Sequence, residues 1–213
     1  MIAQILNASC ATQIPEGESG LWHIFKQELQ YPAIGIYRGN PVSVQAGTYT
    51  HLARWTLATL HHDNGEVVME DHEQELLTHL QFMLKASGHV LVCGLGLGCV
   101  TRGLLANPNV DHVTVLEKSR DVMDLVAPYM PTDRLTIVDD ADALKWTKTE
   151  NLKAFDCVWH DIWSDPDEHQ PHLDVLHAQL IVNCQNRIER QGAWNLNRKT
   201  KRELIRLGVN IIA

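Results

Sequence analysis

Along the chain, the rhythm of apolar and polar positions changes near residue 70. Before it, short extended pieces over 34–37 and 42–44 flank Gly39-Asn40-Pro41, and a longer run covers 49–60. His61-His62-Asp63-Asn64-Gly65 followed by Glu66-Val67-Val68-Met69 is a hairpin signature, because Asn-Gly supplies the positive φ that a tight turn demands. Closer to the N-terminus, residues 15–20 (PEGESG) are turn-like, and Leu21, Trp22, Ile24, Phe25 and Leu29 are spaced to suggest one short helix.

After residue 70, helical stripes alternate with short apolar runs. Leu76, Leu77, Leu80, Met83 and Leu84 form one face of a helix over 73–85, with Asp71 as its N-cap and Gly88 beyond its end. Asp71, His72 and Glu75, at the start of that helix, are placed to look onto whatever cleft lies beyond it. Val90-Leu91-Val92-Cys93 has no polar alternation, as expected of a parallel strand covered on both faces. Gly94, Gly96 and Gly98 follow at once, then a helix over 100–106, a break at Asn107-Pro108-Asn109, and a strand over 112–116 that ends against Glu117. A second crossover helix over 120–129, a strand over 134–138, a fourth strand over 155–160 and a helix over 173–190 complete the pattern. Alternating strands and helices predict an α/β fold with a parallel sheet, preceded by a small antiparallel β appendage in residues 1–69.

At 213 residues the chain can bury one substantial core. It has no run of eighteen apolar residues and no charged-then-apolar leader, so the expected home is the cytoplasm, without a membrane partner. Five scattered cysteines without a C-x-x-C read as buried thiols. Asp165, Asp167, His169, His172 and His177 match no metal-ligand template, so no metal is expected. A formal net charge of −8 disfavours nucleic acid as a partner, against one basic segment holding Arg187, Arg190, Arg198, Lys199, Lys201, Arg202 and Arg206. A solvated helix face is the simpler reading of that segment.

The glycine turn and the acid after the next strand form one signal. A carboxylate at the strand tip about 20 residues on can accept both hydroxyls of a ribose, so the unit is expected to bind an adenosine-type ligand. A dinucleotide site wants a third small residue where Cys99 stands; here the glycines run G-x-G-x-G. In an open parallel sheet the ligand lies beyond the carboxyl ends of the strands, so Gly94, Gly96, Gly98, Glu117, Asp142 and Asp161 are expected to converge on one rim.

VLVCGLGLG with the acid of VTVLEKS resembles motif I of class I S-adenosylmethionine (SAM) dependent methyltransferases, whose fold is Rossmann-like. Residues from about Gly65 to Asp165 are most similar to the spermidine-synthase-like branch of that superfamily, through GLGLG, PNVDHVTVLEKSRDVMDLVAPYM, DRLTIVDDADAL and FDCVWHDIWSDP. The resemblance implies a SAM-binding Rossmann-like domain in 70–213. Its C-terminal sheet is truncated, because Gly192-Ala193-Trp194-Asn195 and Val209-Asn210-Ile211-Ile212 are only remnants of the later strands. It assigns Gly94, Leu95, Gly96, Gly98, Glu117, Lys118, Asp142, Ala143 and Asp161 to the cofactor, SAM or decarboxylated SAM. Glu117 would hold the ribose and Asp142-Ala143 the adenine, with Asp140-Ala141 as a rival register. Aminopropyltransferases carry D-x-x-D-P after the fourth strand, whereas this chain has one residue more between Asp161 and Asp165-Pro166.

Asp161 and Asp165 are therefore the catalytic candidates. Asp161 would act as a base toward the acceptor or neutralise the sulfonium, with Trp159 and Trp163 either walling a substrate pocket or filling core. Three functions follow. The first is methyl transfer from SAM to a small-molecule acceptor. The second is aminopropyl transfer from decarboxylated SAM, and the third is a non-catalytic nucleoside-binding protein. As an assembly, a homodimer is the expectation.

Overall fold

The computed structural model describes residues 1–37, 40–56, 64–148, 150–162, 171–185, 187–188, 190–194, 196 and 198–212. The second half of the chain builds a five-stranded sheet whose neighbours all run parallel. Its strands are β7 (Gly88–Cys93), β8 (Val110–Leu116), β9 (Leu135–Val138), β10 (Cys157–His160) and β11 (Arg190–Ala193), in the order β11-β10-β7-β8-β9. The chain lays down β7, β8 and β9 in one direction, then crosses back to place β10 and β11 on the other side of β7. The order reverses between β7 and β10, and that switch point is where an open sheet makes its crevice.

Helices cover both faces. Cys99–Leu105 (α3), Arg120–Val126 (α4) and Pro171–Cys184 (α6) link successive strands; Ala143–Trp146 (α5) is a single turn, and Arg198–Arg206 (α7) follows β11. Val90 and Val92 point into one core cluster while Leu91 and Cys93 point into a second, so β7 is buried on both sides, as its unbroken apolar run requires. None of the described helices is long and apolar enough to cross a membrane.

The first part of the chain differs from its sequence reading in three places. Ile2–Ser9 is a helix (α1), Gly17–Ser19 a strand (β1), and Trp22–Leu29 a strand (β2), where the apolar spacing suggested a short helix. Periodicity loses here because β2 pairs along all eight of its residues with Gly47–Arg54 (β5), and His23 and Ile24 are buried. Ladder bonds to a long partner outweigh a marginal helical stripe. Glu66–Glu70 (β6) completes a sheet of order β1-β2-β5-β6, and Ala33–Tyr37 (β3) pairs separately with Asn40–Val44 (β4). β5 and β6 pair antiparallel on either side of the Asn64-Gly65 corner; His61, His62 and Asp63 lie outside the described residues.

Glu73–Lys85 (α2) has the bounds its stripe predicts, but His72 caps it, with Nδ1 accepting from the Glu75 amide at 3.1 Å. Asp71, the residue read as the cap, has another task. Its two carboxylate oxygens accept from the Ala11 amide at 2.8 Å and the Thr50 amide at 2.7 Å, which ties the end of α1 and β5 to the start of α2. At 4% exposure, that carboxylate is shielded from water. Ile5, Ile14, Ile24 and Leu52 of the N-terminal part share one core cluster with Leu76, Phe82, Val90 and Val113. The helix read over 173–190 stops at Cys184, and Arg190–Ala193 is a true fifth strand rather than a remnant, in register with β10. Beyond it, among the described residues, an isolated parallel bridge joins Gln191 to Ile211.

Asp71→Ala leaves two buried amides without acceptors, at about 1–3 kcal/mol each. Urea unfolding should show a loss of at least about 2 kcal/mol with the same m-value; a shift of the midpoint within error would contradict the tie.

Candidate functional site

Four of the five strands of the parallel sheet, all but the edge strand β9, end in the same way. The first residue past the strand donates its amide to the last carbonyl of the neighbouring strand: Glu117 to Val138, Gly94 to Leu116, Asp161 to Cys93 and Trp194 to His160, at 2.9–3.1 Å. Four residues at equivalent positions thus form a row along the rim. All four line one cleft of about 690 Å³. Leu95, Gly96, Lys118, Asp142 and Ala143 line it as well, whereas Gly98 sits deeper as the first residue of the α3 turn.

Glycine is required at the switch point. Gly94 has φ +102°, and a Cβ there would fall on the carbonyl oxygen of Asp161. Gly98 has φ +73° and its Cβ would run into the Met130 sulfur. The buried guanidinium of Arg102 supports the turn from below by donating to the Leu97 carbonyl at 2.6 Å.

The two oxygens of Glu117 are oriented separately. Oε2 accepts from the Leu95 amide at 2.8 Å and Oε1 from the Ser119 amide at 2.7 Å. Only 8% exposed, the carboxyl is pushed above the ordinary glutamate range by burial, and the amides of Ser119, Leu95 and Lys118 pull against that rise. Each oxygen retains a second acceptor direction. Lys118 stands exposed beside it.

Asp142 caps α5, with Oδ1 accepting from the Leu144 amide at 3.0 Å. In the rival register, Asp140 is exposed with φ +52°, and the Ala141 amide is spent on the Glu117 carbonyl. The cleft is lined by Ala141, Asp142 and Ala143.

Asp161 accepts from the Trp159 indole, Nε1 to Oδ2 at 3.3 Å. Trp159 is 3% exposed and packs on Phe82 and His79, so it belongs to the core and reaches the cleft only through that hydrogen bond. Burial pushes the Asp161 carboxyl up; His79 and His177 pull it down and Glu75 adds to the rise. His177 is fully buried, and its Nε2 lies 3.3 Å from the Ile162 amide and 3.2 Å from the Ile162 carbonyl oxygen, so it braces the residue after Asp161. Burial drives His160 down to about 3, which leaves it neutral beside Gln191. Asp165, Trp163, Asp167 and His169 lie outside the described residues.

Glu75 and Trp194 meet across the cleft. The Trp194 indole donates to Glu75 Oε1 at 2.7 Å, and His79 Nε2 lies 3.4 Å from the same oxygen. Of the three residues placed at the start of α2, Glu75 alone lines the cleft among the described residues; His72 caps the helix and bonds Glu70 at 2.6 Å. Trp194 belongs to no motif in the sequence. Its signal was position: it is the first residue after the fifth strand, as Gly94, Glu117 and Asp161 are after theirs.

No family model matches the chain. A polyamine aminopropyltransferase of Buchnera aphidicola subsp. Acyrthosiphon pisum (strain Tuc7) is 27% identical over 129 residues, covering 56% of this chain and 43% of the relative. The match thus spans less than half of that relative's length. Solved structures similar to this chain include spermidine synthases and SAM-dependent methyltransferases. A spermidine synthase in complex with the transition state analogue AdoDATO is 18% identical, with TM-score 0.47, covering 82% of this chain and 54% of its own. A proposed SAM-dependent methyltransferase from Streptococcus mutans is 12% identical, with TM-score 0.47, covering 87% and 48%.

Because Asp161 has a folded pKa above its unfolded one, its contribution to stability is full below the unfolded pKa and is lost as pH rises through the folded value. Asp161→Asn removes that loss. The variant should melt above the parent at pH 7, with the gap closing as pH falls toward the unfolded carboxyl range. A gap that does not change with pH would contradict the burial of this carboxylate.

Proposed function

We propose that the chain is a transferase whose donor is an adenosyl sulfonium, SAM or decarboxylated SAM, and whose acceptor is a small molecule. The observation that carries this reading is Glu117, a buried carboxylate at the end of β8 with one oriented acceptor direction per oxygen for the two hydroxyls of a ribose. The fit extends along the rim: Asp142 and Ala143 stand beyond β9 for the adenine, and Gly94 to Gly96 let the backbone approach the sulfonium side. When bound, the donor supplies an electrophilic carbon on a good leaving group. The chain's own task is then orientation and charge, since in-line placement accounts for much of such a barrier. Asp161, beyond β10, is placed to face the sulfonium or take the acceptor's proton.

Methyl transfer from SAM agrees with the departure from D-x-x-D between Asp161 and Asp165. Aminopropyl transfer is favoured by a specific observation. Among the described lining residues, five are acids (Glu75, Glu117, Asp121, Asp142, Asp161) and two are bases (Arg54, Lys118). That excess suits a donor without a carboxylate, and the similarity to a polyamine aminopropyltransferase points the same way.

Calorimetric titration with SAM and decarboxylated SAM tests the shared reading. Glu117→Ala removes two charge-assisted contacts and should weaken both ligands at least about 100-fold, with Glu117→Gln falling between. Undiminished affinity in a variant of normal circular dichroism would remove the nucleoside assignment.

A further inference from the structure

The order of strands divides the cleft. Asp142 and Glu117 stand beyond β9 and β8, Gly94 beyond β7, and Asp161 and Trp194 beyond β10 and β11. A donor with its adenosine on the first pair must extend its amino-acid end past the glycine turn toward the second. The charges are divided in the same way. Lys118 directly follows Glu117, and Arg54 pairs in register with Trp22, near Ser19, which bonds Asp121 of α4 at 3.1 Å. Both described cations of the lining therefore stand on the nucleoside side. On the far side the described charges are Asp161 and Glu75.

We propose that Glu75 is the residue that selects the donor. Resting on the donor reading above, it sets a second carboxylate beside Asp161 where the end of the donor arrives, so that a bare ammonium is accepted and an α-carboxylate is repelled. Glu75 is suited to this by how it is held. It is 6% exposed, its Oε1 accepts from the Trp194 indole, and His79 Nε2 lies 3.4 Å from the same oxygen, which holds that oxygen in place. His79 is in turn fully buried and stands edge-on to the Trp159 ring at 5.4 Å between centroids; Trp159 donates to Asp161. The two acids thus share one rigid support. Opposing a third carboxylate to two held in low-dielectric surroundings is costly, because the charges can neither move apart nor hydrate fully. Placing an ammonium there relieves the repulsion between them. Selection arises as much from rejecting SAM as from attracting its decarboxylated form.

The test is calorimetry of the full chain with three ligands: SAM, decarboxylated SAM, and 5′-methylthioadenosine, which has no amino-acid end. The parent should prefer decarboxylated SAM over SAM by about tenfold or more. Glu75→Gln keeps the Trp194 contact and should shrink that ratio several-fold, leaving methylthioadenosine affinity within about twofold of the parent. A general structural defect would instead weaken all three together. Trp194→Phe, which removes one hydrogen bond to the carboxylate and leaves His79 beside it, should narrow the ratio less. A parent that prefers SAM, or a Glu75→Gln variant with the parent's ratio, overturns the assignment of Glu75 while methylthioadenosine binding sustains the donor reading. Failure of all three ligands to bind the parent overturns both.

Discussion

The cleft depends on two strands leaving the sheet side by side with no side chain between them. β7 and β10 come from distant parts of the chain, yet Asp161 donates to the last carbonyl of β7 and the Gly94 Cα lies against the Asp161 carbonyl. Any Cβ at Gly94 would push β10 away, and with it Asp161 and the brace that His177 provides to Ile162. The glycine is therefore more than a ligand-approach device. It is also the condition under which the two halves of the sheet can close on each other and present their ends as one rim.

Along that rim the same backbone step recurs four times and carries a different side chain each time: none at Gly94, a carboxylate at Glu117 and Asp161, an indole at Trp194. Equal backbone positions give unequal chemistry because each is backed by a different layer. Glu117 is steered by amides of the glycine turn and of the α4 start, which tolerate a buried charge by solvating it. Asp161 is steered by an indole, with buried histidines nearby; burial raises both carboxyls, opposed by amides at Glu117 and chiefly by His79 and His177 at Asp161. Two carboxylates of one cleft are thereby given different surroundings.

Much of this was legible in the residues. The unbroken run Val90 to Cys93 required burial on both faces, and the glycines at its end required a turn, so the strand, turn and helix could be placed without their neighbours. The position of Glu117 followed from the strand that it ends, 112–116. What escaped was set by partners distant in sequence. Residues 22–29 carry a plausible helical stripe, and only the eight-residue ladder with β5 makes them a strand. Asp71 has the look of a cap, but the amides of Ala11 and Thr50 reach it first, and His72 takes over the helix end. Trp194 stood in a segment that looked like a remnant, and its meaning depended on β11 being in register with β10. The site was readable where chemistry and local pattern coincide, and hidden where long-range pairing decides.

The strand order also has a temporal side. Asp156, at the entry to β10, bonds the amide of His89, at the entry to β7, across 67 residues of chain. Contacts that close so large a loop are among the slower ones to form, because the entropy of bringing the ends together is lost before the pairing compensates it. β7, β8 and β9 can associate as each is synthesised, whereas the crevice has no second wall until β10 and β11 have emerged and docked. A nascent chain that ends before β10 carries the glycine turn and Glu117 but only one wall of the cleft, so the rim is complete only once β10 and β11 have docked.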